Sequence, residues 1–280
     1  MADKNKIISN LDKESPSHNY EISPESIREH LLNYQDIFDF DVRKVVTSTN
    51  DIAKKLAHKG AKEGTVVISQ EQTAGKGRRG KKFYSPADSG VYMSLILRPK
   101  YSANQSLFIT VASAVAVART VEKNSGKEAK IKWVNDVFCD DKKVSGILTE
   151  SSFDAKNENI DFIVLGIGIN IQEPKEGFPR ELENIAISMF EENIFFDIKS
   201  KIIAQVLEEF WSFYLNLEEK NFLQEYKDRS ILIGRQIKII NQDKTQIATV
   251  LEIDDECRLK VKMQNDEIKV LSSGEVSIAL

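Results

Sequence analysis

The chain has 280 residues, with 39 Lys or Arg against 43 Asp or Glu and a formal net charge of -4. That length allows one large domain, or a medium one with a small companion, and the slightly acidic balance excludes a wholesale nucleic-acid binder while leaving room for a local basic patch. Two distant cysteines, Cys139 and Cys257, and only three histidines exclude a disulfide framework and a zinc site. With no apolar run near the roughly 18 residues of a membrane span and no apolar core in the opening MADKNKIISNLDKESP, the expected location is cytoplasmic.

In chain order, the first 20 or so residues are polar and aperiodic and predict a mobile tail. ISPESIREHLL predicts a short helix with Ser23 as N-cap, Pro24 at the first helical position, and Ile27, Leu31 and Leu32 on one side. RKVVTS reads as a strand. In STNDIAKKLAHKG, Ser48 or Thr49 caps a helix that turns Ile52, Leu56 and Ala57 inward and closes at Gly60. TVVIS is a strand running into a glycine-rich loop. Beyond it GVYMSLILRP alternates Val91, Met93, Leu95 and Leu97 against Tyr92, Ser94 and Ile96, a strand pattern. SLFITVASAVAVARTVEKNSG is apolar nearly all round and predicts a buried helix that stops at Gly126.

IKWVND, VFCDDKKVSGILTESSF and DFIVLGIGIN are short apolar runs with a hairpin tip at Asp140 to Lys142, extending a mixed or antiparallel sheet. A helix from about Ile198 to Leu217 presents Ile202, Ile203, Val206, Phe210, Phe213, Tyr214 and Leu217 to the core. Then IGRQIKII, TQIATVLEID, RLKVKMQ, EIKVLS and EVSIAL read as five short strands of a small barrel joined near Ser230. The chain thus divides into an N-terminal tail and linker helix (1–42), an α/β (α+β) domain with a mixed, mainly antiparallel sheet (43–230), and a small C-terminal β-barrel (231–280).

The loop AGKGRRGKKFYSP matches two nucleotide motifs and satisfies neither. Gly75, Gly77 and Gly80 spell the dinucleotide fingerprint, but KKFYSPADSG cannot open the helix that would hold a pyrophosphate. Read as a P-loop, it carries Lys82 where Ser or Thr should meet Mg²⁺. What remains is a glycine-jointed loop with Lys76, Arg78, Arg79, Lys81 and Lys82, which either wraps a polyanion or is a solvated basic turn. KWVNDVF adds Lys132 for phosphate and Asp136 for Mg²⁺. Lys143 of KVSGIL, taken alone, is an ordinary hairpin charge. Gly166 and Gly168 of VLGIGIN alternate on a strand, where missing side chains admit a flat ligand or mark a bulge.

Taken in order, STN, GKGRRGKKFYSP, KWVNDVF, KVSGILTE and VLGIGIN closely resemble the biotin protein ligases, also called biotin–[acetyl-CoA-carboxylase] ligases, from about residue 43 onward. The resemblance implies a catalytic domain with a mainly antiparallel sheet and a C-terminal SH3-like barrel. It implies two steps: biotin and MgATP form biotinyl-5'-AMP and pyrophosphate, and the acyl group then passes to a lysine of a biotin carboxyl carrier domain. By motif matching, Lys143, Arg78 and Lys132 are the catalytic candidates, Lys143 lying between biotin carboxylate and α-phosphate. Ser48, Thr49, Asn50, Gln72, Gly75, Lys76, Lys143 and Gly146 fall on the biotin side. Arg78, Arg79, Phe83, Lys132, Asn135 and Asn170 fall on the nucleotide side, with Asp136 as the Mg²⁺ ligand. No enzyme nucleophile is needed, and the cysteines have no assigned role.

The sequence departs from the family pattern at Lys76 (Arg is usual), Phe83 (Trp), Val134 (Pro) and Thr47 (an acid). Lys for Arg keeps charge but loses a bidentate fork. Residues 1 to 40 hold eight acidic against four basic side chains and are too short for the winged helix-turn-helix that makes some members repressors, so a ligase without DNA binding is expected. The implied assembly is a monomer or homodimer. The rival readings are a lipoate ligase, which shares the adenylation logic, and a non-catalytic RNA-binding protein. The absence of Phe, Tyr and Trp from residues 231–280 weighs against the latter.

Overall fold

The computed structural model describes residues 22–99, 106–153, 160–191, 197–241, 244–272 and 274–278; the expected tail lies outside the described residues. A seven-stranded sheet has the order β1-β2-β3-β7-β6-β5-β4, with β1 Asp39–Val46, β2 Thr65–Gln72, β3 Gly90–Leu97, β4 Lys130–Lys132, β5 Asp136–Cys139, β6 Lys142–Phe153 and β7 Ile160–Asn170. Only β1 and β2 run parallel. They are joined by helix α2, Thr49–His58, because parallel neighbours need a crossover. The other pairings are antiparallel.

Strand β3 alternates in sequence, yet all eight of its positions are buried, because both faces of the sheet are covered. On one face Ala53 and Ala57 of α2 meet Val67, Ile96, Phe162 and Val164. On the other, Met93, Leu95 and Leu97 join the main core with α3, Ser106–Ser125, and α4, Ile198–Tyr214. The buried hydroxyls of Ser113 and Thr120 in α3 donate to the carbonyls of Ile109 and Ala116 at 2.8 and 2.9 Å, so a polar group inside the core stays satisfied. Every residue expected on the inner side of α4 is buried, Leu217 included, although it sits in a separate short turn.

Helix α1, Pro24–Glu29, has the expected Ser23 cap, with Ser26 completing a reciprocal pair of cap hydrogen bonds. Leu31 is buried, but Leu32 is 79% exposed, contrary to the sequence expectation. The helix ends at Glu29, and the Glu208 carboxylate then accepts the N–H groups of Leu32, Asn33 and Tyr34 at 2.9, 2.8 and 3.1 Å. Those bonds turn the backbone and point Leu32 outward.

The five C-terminal strands expected from period-two patterning are present: β8 Gln236–Asn241, β9 Lys244–Ile253, β10 Leu259–Met263, β11 Ile268–Leu271 and β12 Glu275–Ile278. They form one antiparallel sheet in the order β11-β10-β9-β8-β12. Helix α5, Leu223–Asp228, precedes it, and Arg229 fastens the junction. Its guanidinium bonds to Glu122 at 2.7 Å and Glu225 at 2.9 Å, while Ile131 pairs with the backbone on both sides of Ser230.

The Arg229 guanidinium holds the Glu122 carboxyl below its usual range, and at Glu225 burial pushes upward but Arg119 and Arg229 outweigh it. Because these folded values are depressed, their stabilisation is complete above the ordinary carboxylate range and is lost as pH falls through the lowered folded values. Arg229→Met should cost about 1–3 kcal/mol at neutral pH, since its partners are only partly screened. In urea unfolding, the gap between wild type and variant should shrink as pH falls below the ordinary carboxylate range; an undiminished gap there would contradict this role.

Candidate functional site

The ends of β1, β2, β6 and β7, the 75–83 loop and the β4–β5 turn converge on one cleft, which Gly274 and Val276 of the small sheet also line. On its floor are Ser48, Thr49, Asn50 and Gln72. Ser48 is the N-cap of α2, yet its side chain makes no cap hydrogen bond, which leaves a nearly buried hydroxyl for the cleft. Gln72 Oε1 accepts the Thr49 N–H at 2.8 Å and lies 3.1 Å from the Thr49 hydroxyl oxygen, while Nε2 donates to Ser85 at 2.9 Å.

The basic loop is a hairpin. Phe83 N donates to Gly75 O at 2.9 Å and Gly77 N to Lys81 O at 2.7 Å, with the reversal at Arg79 and Gly80, whose φ angles are 54° and 75°. This confirms the exclusion of a strand-to-helix nucleotide motif. Gly75 is needed for the crossing, since a Cβ there would lie 2.4 Å from the Phe83 carbonyl. The hairpin folds the Phe83 ring back onto the sheet, where a Cβ on Gly168 or Gly146 would come within 2.4 or 3.2 Å of it. The flat group that the VLGIGIN glycines admit is thus the protein's own ring, and Gly166 makes room for the Asn50 amide.

Lys76, Arg78, Arg79, Lys81, Lys82, Lys132 and Lys143 line the cleft, with Asp136 the single carboxylate among the lining residues. Lys143 Nζ is 2.7 Å from Asp136 Oδ1 and 6.0 Å from the centre of the Phe83 ring. Arg78 donates to Asn135 Oδ1 at 3.0 Å, and Asn135 Nδ2 donates to Ile147 O at 2.8 Å. Arg79 reaches the Ile240 carbonyl of β8 at 3.4 Å, and Lys76 pairs with Asp51.

IKWVND is not one strand but β4, a turn and the start of β5. The turn contains a cis peptide between Trp133 and Val134. It is braced from the C-terminal side: Trp133 Nε1 donates to Cys257 O at 2.9 Å and the Tyr226 hydroxyl to Val134 O at 3.0 Å. Burial pushes the Cys139 and Cys257 thiols up to about 11 and about 12, so neither supplies a thiolate near neutral pH.

Of the residues singled out from sequence, Gly75 and Asn170 do not line the cleft. Gly75 shapes the loop base. Asn170 Nδ2 donates to Ile187 O at 3.1 Å, steadying the segment whose Ile185 and Ile187 bond the Lys143 backbone on both sides. Sequence reasoning missed Ser94 and Glu150, which hold Thr49 and Asn50 from beneath; an ordinary strand serine and the closing charge of KVSGILTE give no local signal of their partners. Among the described residues no three His, Cys, Asp or Glu side chains cluster to hold a metal. Mg²⁺ takes one or two carboxylates and keeps water and phosphate for the rest, and Asp136 is the one carboxylate among the residues lining the cleft.

A family model described as the biotin/lipoate A/B protein ligase family matches residues 42–170. The bifunctional ligase/repressor BirA of Bacillus subtilis is 32% identical over 260 residues, covering 92% of this chain and 76% of that one. The chain belongs to the biotin protein ligase family. Its activity is ligation of biotin. Another relative, the biotin–[acetyl-CoA-carboxylase] ligase of Mycobacterium tuberculosis, is 27% identical over 262 residues, covering 90% of this chain and 93% of that one. In fold, the chain is similar to the biotin protein ligase of Aquifex aeolicus solved with biotin and ATP: TM-score 0.70, 24% identity, 86% of this chain and 98% of that one. Among the described residues no helix is long and apolar enough to cross a membrane.

Gly168→Ala tests the glycine seat of this biotin ligase. The added methyl would meet the Phe83 ring at 2.4 Å, forcing the ring into the cleft at a cost of about 1–3 kcal/mol. Ligand affinity should fall about 5- to 150-fold, and Phe83→Ala in the same chain should recover part of it; calorimetric titration reads both, and no loss in the single variant would contradict the packing.

Proposed function

We propose that this cleft carries both half-reactions of biotin transfer, with biotin on the Ser48–Gln72 floor and ATP under the basic hairpin. The observation that carries the reading is the position of Lys143. It sits beside Phe83 and Asp136, in the one cleft that the polar floor and the Arg78–Asn135 pair also line. In the first step a biotin carboxylate oxygen attacks the α-phosphorus of ATP and pyrophosphate leaves. Two anions must approach, so cations fixed before the reaction lower the barrier more than they aid binding. Lys143 neutralises the carboxylate–phosphate junction, while Arg78, Arg79 and Lys132 hold the phosphates. Asp136 would hold Mg²⁺ brought with the nucleotide, which would spread the charge of the polyphosphate.

At the other end, the free Ser48 hydroxyl, Thr49 and the Gln72 amide offer hydrogen bonds to a ureido ring whose polar atoms would otherwise be buried unpaired. In the second step the uncharged amine of an acceptor lysine attacks the acyl carbon and AMP leaves. The acceptor is a biotin carboxyl carrier domain in the cytoplasm. Residues 231–280 act as a small unit that completes the nucleotide side through Gly274, Val276 and the Trp133 brace, and residues 22–42 link into the catalytic unit 43–230.

Biotin-dependent exchange of labelled pyrophosphate into ATP tests the first step. Lys143→Ala should reduce it by about 100- to 1,000-fold while biotin affinity changes only a few-fold. A lost affinity with an unchanged exchange rate at saturating biotin would remove Lys143 from the junction, and equal exchange with lipoate would replace the substrate. Retention of the intermediate is tested separately: Arg78→Gly, which breaks the bond to Asn135, should speed release of labelled biotinyl-AMP about tenfold or more. Unchanged release would make the hairpin a static clamp.

A further inference from the structure

Beneath the cleft floor lies a chain of polar groups that the two half-reactions do not use. Glu150 of β6 is ion-paired with Lys54 of α2, and its Oε2 accepts Asn50 Nδ2 at 2.8 Å. Asn50 is 4% exposed and has no slack, because a Cβ on Gly166 would lie 2.1 Å from its Oδ1. The Ser94 hydroxyl, fully buried, sits 2.6 Å from Asn50 Oδ1 and 2.8 Å from Thr49 Oγ1.

The proton directions follow from what each group can do. A carboxylate only accepts, so the Asn50 amide turns its NH₂ towards Glu150 and its carbonyl towards Ser94. That carbonyl cannot donate, so the single Ser94 proton goes to it. The Ser94–Thr49 contact then needs the Thr49 proton. Thr49 Oγ1 and Gln72 Oε1 are left 3.1 Å apart as two acceptors with no proton between them, a pair that an N–H entering from the cleft would satisfy.

We propose that Glu150 is a positioning residue for substrate recognition: through Asn50 and Ser94 it orients the Thr49 proton away from the cleft, so that Thr49 and Gln72 together accept one ring N–H of biotin. The inference rests on the reading above that this floor holds the ureido ring. Asn50 is then a relay and not a biotin contact, since its carbonyl and at least one of its N–H groups are engaged by the protein. Lys54 is ion-paired with Glu150 but is not itself part of the relay.

The test compares biotin with its cyclic carbamate analogue, in which ring oxygen replaces that nitrogen, in the pyrophosphate exchange assay with full-length protein. Wild type should prefer biotin by at least about tenfold. Glu150→Gln frees the amide to flip, so the KM for biotin should rise about tenfold and the preference should fall to a few-fold, with the KM for ATP unchanged. Lys54→Met keeps the carboxylate and should keep the preference. Combining Asn50→Asp with Glu150→Gln moves the carboxylate one place along the relay, still forces Ser94 to donate, and should restore it.

An undiminished preference in Glu150→Gln overturns the proposal, as does failure of the double variant to regain it. If Glu150→Gln does not fold, the double variant alone decides: a normal preference supports the relay and a lost one refutes it. Thr49→Val tests the underlying reading separately. Unchanged biotin affinity there means that the ring lies elsewhere, whereas lost affinity with a silent Glu150→Gln condemns the relay only.

Discussion

Seven cationic side chains face a single carboxylate across one cleft in a chain whose formal net charge is -4. That local imbalance is the constraint on which the rest of the structure depends. Seven like charges repel, and fixed partners hold several of them in place. Lys143 is fixed on β6 by backbone bonds to Ile185 and Ile187, Arg78 is tied to Asn135, and Lys76 is held to Asp51. Such a field costs stability while the cleft lacks an anion and is recovered when two anions must be brought together.

The small C-terminal sheet contributes to the same end. Its Cys257 carbonyl takes the Trp133 indole, Tyr226 of the preceding helix takes the Val134 carbonyl, and the Ile240 carbonyl takes Arg79. The turn that presents Lys132, Asn135 and Asp136 is therefore set from two sides, by the large sheet through Ile147 and by the small one through Trp133. The burial of Trp133, Cys257 and Tyr226 makes this brace dry, and dry hydrogen bonds hold geometry more firmly than exposed ones.

Much of this was legible in the sequence because it rests on local rules. Alternation marked β3, the all-round apolar run marked α3, and period two marked the five C-terminal strands. The stretch KKFYSPADSG, broken by Pro86 and Gly90, correctly denied the basic loop its helix. What stayed hidden depends on distant partners. Leu32 turns outward because Glu208, 176 residues away, captures the backbone beside it. Glu150 reaches Asn50 across 100 residues, and no spacing rule reports that. Gly166 and Gly168 were read as room for a flat group, which was physically sound, but only the fold shows that Asn50 and Phe83 occupy the space. Asn170 was placed at the nucleotide by motif; it does not line the cleft and is bonded to Ile187.

The central claim is spatial: one cleft holds biotin's ring on the Ser48–Gln72 floor and its carboxylate against the α-phosphate at Lys143. A crystal structure of the chain with a non-hydrolysable analogue of biotinyl-AMP tests it most directly. The account expects the ureido ring against Ser48, Thr49 and Gln72, the linking group within hydrogen-bond distance of Lys143 Nζ, and the adenosine on the side of Arg78, Asn135 and the small sheet. An analogue bound with its linking group away from Lys143, or with the two ends exchanged, would contradict it.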